Sequence, residues 1–226
     1  MKVLAIAAHP DDEVLGCGAT LARLAREGRE VYIAILGEGA TARAVRPEDA
    51  DRGEVAGLAA ASRVAAGILG AREVFQFGLP DNRFDTVPLL DIVKQVEALV
   101  SRLAPRVVFT HWAGDLNVDH GVVHRAVLTA TRTLPDASVR EVYAFETPSA
   151  SEWSFGRVAG PFDPNVFVDV SATLDLKLDA MRAYATELRD YPHPRSLEAL
   201  TALARWRGSM AGVRAAEAFE LVRRVW

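Results

Sequence analysis

The chain opens on six apolar residues, Val3 to Ala8, that stop abruptly in the polar cluster His9-Pro10-Asp11-Asp12-Glu13. A short hydrophobic run without alternation fits a strand buried on both faces of a parallel sheet. The pattern predicts a strand over 2–8 and a helix over 12–27. A second buried strand follows over 30–36 and ends at Gly37. A turn-rich stretch from 37 to about 47 leads into an Ala-rich helix over roughly 48–69, stopped at Gly70. Strands over 73–77, 106–110 and 139–145 then alternate with helices over 87–103 and 119–134. The last of these helices is capped by Asp119 or a near neighbour. Strands separated by helices of this length imply an α/β fold, a mostly parallel sheet with helices on both faces.

The final third reads differently. Residues 148–164 are rich in Ser, Gly, Pro and aromatics and form a loop, followed by a strand over 165–170. Ser171 is expected to cap a helix running to about 188, which Tyr191-Pro192-His193-Pro194 closes with two prolines. A last helix near 197–210 precedes an apolar run over 218–225. No repeat, low-complexity segment or linker divides the chain, so one domain is expected, with a strand and helix extension from about residue 148.

Composition narrows the function. The chain has 226 residues, half of them hydrophobic, which is enough for one substantial core. A net charge of -4 without a basic stripe makes nucleic acid an unexpected partner. No apolar run reaches the length of a membrane span. The first run meets acidic residues too soon for a signal peptide, so a cytoplasmic protein is expected. The lone Cys17 excludes an internal disulfide and a multi-cysteine zinc site, and it reads as a small buried helix residue. Enzymes of this size are commonly homo-oligomers.

The chemistry lies at the strand ends. Open parallel sheets bind ligands beyond the carboxyl ends of their strands. The first four exits here carry His9 to Glu13, Gly37-Glu38-Gly39, Pro80-Asp81-Asn82-Arg83 and a stretch from His111 to His120. Consecutive carboxylates beside an imidazole are costly unless a cation sits among them. His9 and Asp12 could ligate a divalent metal, with Asp11 beside it as a base. The competing reading is a solvated helix-start cluster. His120 adds a third ligand and leaves a position open for water, the pattern of a catalytic zinc site. His124, one turn further on, either shares the ion, contacts substrate or packs. His111 reads as structural. A dinucleotide site is excluded: Gly16-Cys17-Gly18 lacks the third glycine and lies inside the helix, and the turn before it is acidic.

At these residues the chain resembles the LmbE-like (PIG-L) family of zinc-dependent N-acetylglucosamine deacetylases. Ala8-His9-Pro10-Asp11-Asp12-Glu13 matches the first family motif residue for residue, and Asn117-Val118-Asp119-His120 matches the second at its Asp and His. Arg52 and Glu54 at the head of the Ala-rich helix, and Leu79-Pro80-Asp81, resemble further family elements. The match covers about the first 145 residues. The resemblance implies a Rossmann-like fold and de-N-acetylation of an amino sugar or glycoconjugate. It also implies Zn2+ held by His9, Asp12 and His120, with Asp11 as general base.

One position departs from the pattern. Asn117 stands where studied members carry a histidine, and an amide can donate to an oxyanion but cannot carry a proton. His124 and His193 are the candidates to supply the missing charge. Asp119 either caps its helix or orients a ligand, and Glu13 braces its loop. Arg52, Asp81 and Arg83 are candidate substrate contacts for sugar hydroxyls or an acidic aglycone. Two other readings compete with an amino-sugar deacetylase. A silent sugar-binding module would not need Asp11, and a two-histidine, one-carboxylate iron(II) enzyme is expected on a β-sandwich.

Overall fold

The computed structural model describes residues 1–44, 46 and 49–226. Seven strands form one sheet in the order β3-β2-β1-β4-β5-β7-β6. The strands are β1 Lys2–Ala7, β2 Glu30–Gly37, β3 Glu73–Leu79, β4 Val107–His111, β5 Glu141–Phe145, β6 Val166–Asp169 and β7 Ala216–Arg224. The first five are parallel, and β1 pairs with both β2 and β4, with Val3 beside Val31 and Val107. β7 runs antiparallel between β5 and β6 and so joins the C-terminal third to the same sheet.

The helices are α1 Asp12–Arg26, α2 Arg52–Ile68, α3 Leu89–Leu103, α4 Val118–Ala130, α5 Leu174–Ala183 and α6 Leu197–Ala211. One face of the sheet packs on α1, α2 and α5 through Leu15, Leu21, Leu58, Ala65 and Met181. The other face packs on α3 and α4 through Ile92, Val96, Leu99, Val123 and Val127. β1 supplies Val3 and Ala5 to one face and Leu4 and Ile6 to the other, all of them wholly buried. That explains why its sequence is apolar without alternation, and Val3, Leu4 and Ile6 each stabilise the fold by roughly 1.5–3 kcal/mol on burial. α1 lies close to the sheet at Gly16, where a Cβ would fall 2.1 Å from the Phe145 ring.

Several boundaries differ from expectation. α2 begins at Arg52, where the Asp51 carboxylate accepts from the Gly53 N–H at 2.7 Å; the expected start at Glu48 lies outside the described residues. α4 is capped by Asn117, not Asp119, and ends at Ala130. Ser171 does not cap α5: its hydroxyl bonds Asp169, and Thr173 precedes the helix. α5 also stops at Ala183, five residues before the expected end, so residues 184–196 are irregular and reach the carboxyl edge of the sheet. There the strand order reverses between β1 and β4, the switch point at which such sheets form a crevice.

Candidate active site

A cavity of about 340 Å³ opens at that switch point, and its lining includes His9, Asp11, Asp12, Asp81, Asn117 and His120, together with Thr147, Glu187, Arg43 and Arg195. The turn leaving β1 brings the first motif in, and the N-terminal turn of α4 brings His120. Asp12 Oδ2 lies 3.2 Å from His9 Nδ1 and 3.3 Å from His120 Nε2. All three residues are buried, and their donor atoms lie within 4.8 Å of one another. Ligand arms of ~2.0–2.1 Å in a tetrahedron put neighbouring donors about 3.3 Å apart. Two imidazole nitrogens and one carboxylate oxygen at this spacing therefore fit a divalent ion such as zinc.

The outer nitrogens of both histidines are held from behind. His9 Nε2 lies 2.9 Å from Asp119 Oδ2 and 3.2 Å from Asp81 Oδ1. Asp119 Oδ1 also accepts from the Phe84 N–H at 2.9 Å, which fixes the carboxylate. Asp119 thus faces His9, and the cap role falls to Asn117. His120 Nδ1 lies 2.8 Å from Asp115 Oδ2, and Asp115 in turn accepts from the Ser151 hydroxyl. Carboxylates placed behind ligating histidines set ring orientation and raise ligand basicity. Burial disfavours the charged His120 ring, but Asp12 and Asp115 push it up to about 9. A cation between these groups would answer the same negative field.

His111, at the end of β4, has both ring nitrogens engaged. Its Nε2 accepts from the Ala8 N–H at 2.9 Å, and its Nδ1 faces the Thr147 hydroxyl at 3.1 Å. Burial and the His120 charge push it down to about 4, so the ring is neutral and stacks on His120 at 3.8 Å. Cys17 is a buried helix residue whose thiol donates to the Glu13 carbonyl.

Asp11 stands beside this cluster and is nearly buried. Its Oδ2 accepts from Arg195 Nη1 at 3.1 Å. Arg195 also donates to Glu187 at 3.0 Å, and Glu187 bonds Arg43 on its other oxygen. Burial and the Asp12 charge push the Asp11 carboxyl well above the usual range, against the pull of Arg195.

Four of the sequence-derived candidates lie elsewhere. His124 Nδ1 donates to the His111 carbonyl, 2.8 Å away, and the ring does not line the cavity. His193 Nδ1 accepts from the Arg195 N–H, and its ring meets Trp153 edge-on at 5.5 Å. Arg52 is largely exposed and pairs with Glu38, and Arg83 is exposed. Neither arginine lines the cavity. Asp81 does line it, but it faces His9 and the Ala42 N–H. The Asn117 amide is also engaged: its oxygen accepts from Asp119 N–H and its nitrogen donates to Asn82, both at 2.9 Å. Arg195, Glu187, Arg43 and Asp115 join the site without a motif that marks them in the sequence. The signal for Arg195 was its place two residues beyond His193 in the proline-rich turn. Glu187 carried none, because that stretch reads as helix.

This fold and this cluster define an α/β protein of the PIG-L kind with a candidate metal site, and the chain belongs to that family: the PIG-L: GlcNAc-PI de-N-acetylase family matches residues 4–131. It is similar to the uncharacterized deacetylase YaiS of Escherichia coli, with 33% identity over 192 residues, 80% of this chain and 89% of that one. It is 28% identical over 237 residues to 1D-myo-inositol 2-acetamido-2-deoxy-alpha-D-glucopyranoside deacetylase 1 of Saccharopolyspora erythraea, covering 83% and 78% of the two chains. The same fold occurs in GalB, the 4-carboxy-2-hydroxymuconate hydratase of Pseudomonas putida, with a TM-score of 0.79 and 24% identity over 100% of this chain and 98% of that one. No described helix is long and apolar enough to cross a membrane.

Proposed function

We propose that this protein is a zinc-dependent hydrolase that removes the N-acetyl group from an N-acetylglucosamine-type sugar or glycoconjugate in the cytoplasm. The observation that carries the reading is the convergence of His9, Asp12 and His120 on one point, with Asp11 buried beside them in the same cavity. Zinc held by these three residues would supply a water acidified to a pKa near ~7 and polarise the acetyl carbonyl. Asp11 accepts the proton of the attacking water and then hands it to the leaving amine. Arg195, 3.1 Å from Asp11, fixes the carboxylate and provides positive charge beside the reacting carbon. Asp119 and Asp115 hold the His9 and His120 rings in place. Asn117 anchors the start of α4, and its amide is not free to receive the oxyanion in this arrangement.

The charge of the cavity supports a neutral sugar. Among the described residues lining it, Asp11, Asp12, Asp81 and Glu187 face Arg43 and Arg195, and Glu187 already pairs with both arginines. One divalent cation balances that set and leaves no surplus positive charge for a polyanion. The carboxylated muconate named for GalB is therefore a poor fit, whereas an N-acetylated sugar presents hydroxyls and one amide. The relative from Saccharopolyspora erythraea is named for such a substrate. Acetate and free amine released from a panel of N-acetylglucosamine glycosides test the proposal, and elemental analysis separates zinc from iron. A metal-loaded protein that binds these sugars and releases no acetate would support the silent module instead.

A further inference from the structure

Asp11 has φ 102° and ψ −29°, in the left-handed region that favours glycine. An aspartate persists there only where its surroundings over-determine the conformation. Its carbonyl begins α1, accepting from the Val14 and Leu15 N–H groups at 3.0 and 2.9 Å. Its own N–H points back under the turn and donates to Glu13 Oε2 at 3.2 Å. The other Glu13 oxygen accepts from the Tyr184 hydroxyl at 2.6 Å. Tyr184 follows the last turn of α5, where its N–H is tied to the Met181 carbonyl. Glu13 and Tyr184 are both wholly buried.

We infer that Glu13 and Tyr184 are positioning residues for Asp11: together they clamp its N–H and hold the backbone turn that points its carboxylate at Arg195 and the cavity. This rests on the reading of Asp11 as the base. A first-turn glutamate that serves only the helix dipole does so from the surface. Glu13 is instead taken out of water, where an acid is tolerated only with its oxygens satisfied. Its two oxygens are spent on the strained residue and on the tyrosine. A phenylalanine would fill the same core volume as Tyr184, so the hydroxyl is the informative part.

Because the clamp acts through Asp11, its loss should appear in kcat and not in sugar or zinc binding. Tyr184→Phe is expected to lower kcat about tenfold or more while KM and bound zinc stay unchanged. Glu13→Gln can still accept from the Asp11 N–H and donate to the Tyr184 oxygen, so it should keep far more of kcat than Glu13→Ala. If Tyr184→Phe melts too early to assay, this Gln and Ala comparison makes the same test. The decisive arm places Tyr184→Phe in an Asp11→Asn background, where the tenfold loss should disappear because the residue being positioned no longer works as a base. An equal loss in both backgrounds, or full kcat in Tyr184→Phe, would overturn the positioning role alone. Near-normal turnover by Asp11→Asn by itself would overturn the base assignment, and the positioning role with it.

Discussion

Arg195 Nη1 lies 3.1 Å from Asp11 Oδ2, although 184 residues separate them in the chain. The pair joins the first motif to the irregular segment after α5, and Glu187 holds the guanidinium from its other side at 3.0 Å. The positive charge that Asn117 cannot carry is thus present in the cavity, on a residue two positions beyond His193.

Removing that charge should impair chemistry more than metal binding. Arg195→Ala is predicted to lower kcat/KM by about 10²-fold, in the range seen when a stabilising charge is lost from a reacting centre. Zinc content should stay near one per chain, and Arg195→Lys should recover part of the loss, since it keeps the charge and loses the fork geometry. Steady-state kinetics with elemental analysis checks both.

His193 and His124 should prove dispensable for turnover. His193→Ala removes a ring that touches Trp153 and the Arg195 backbone, outside the cavity, so kcat should change by less than about threefold, as for a substitution that leaves the reacting groups alone. His124→Ala should cost about 1 kcal/mol of stability through the lost bond to the His111 carbonyl, read by denaturant unfolding, with metal content unchanged. A large kcat loss in either variant would return that histidine to the site.

The carboxylates behind the ligands should control metal affinity. Asp119→Ala leaves His9 Nε2 with Asp81 alone and frees the Phe84 N–H, and Asp115→Ala frees His120 Nδ1. Each should weaken zinc binding by roughly 10–100-fold, measured by competition with a chromogenic chelator. Affinity equal to that of the unaltered protein would show that these groups do not orient the rings.

Gly16 should be intolerant for reasons of packing alone. A Cβ at this position would fall 2.1 Å from Phe145 Cδ2, in a core where neither side is exposed. Gly16→Ala is predicted to cost ~1–3 kcal/mol or more, because an overpacked interior must shift α1 or the ring. A thermal melt of the variant with zinc bound decides it.

Much of this was legible in the sequence where the physics is local. β1 reads clearly because a strand buried on both faces is apolar at every position, and the polar motif marks where the buried strand ends. The three candidate ligands follow from where strands end in a parallel sheet. The supporting residues were harder to see because their partners are distant. Nothing within a few positions tells that Asp119 faces His9, 110 residues away, and leaves the cap to Asn117. The apolar pattern through Leu188 suggests a continuing helix, yet α5 stops at Ala183, and Tyr184 and Glu187 turn inward to separate ion and hydrogen-bond partners. Likewise, β7 is a readable apolar run, but only long-range pairing inserts it antiparallel between β5 and β6.

If His9, Asp12 and His120 hold one divalent ion, amide hydrolysis depends on that ion. The direct measurement is acetate released from N-acetylglucosamine glycosides by the same preparation as purified, after exhaustive chelation, and after zinc is returned to one equivalent per chain. Acetate release is expected to fall to background on chelation and to recover with the first equivalent of zinc, in parallel with metal content. Undiminished acetate release by metal-free protein would contradict it.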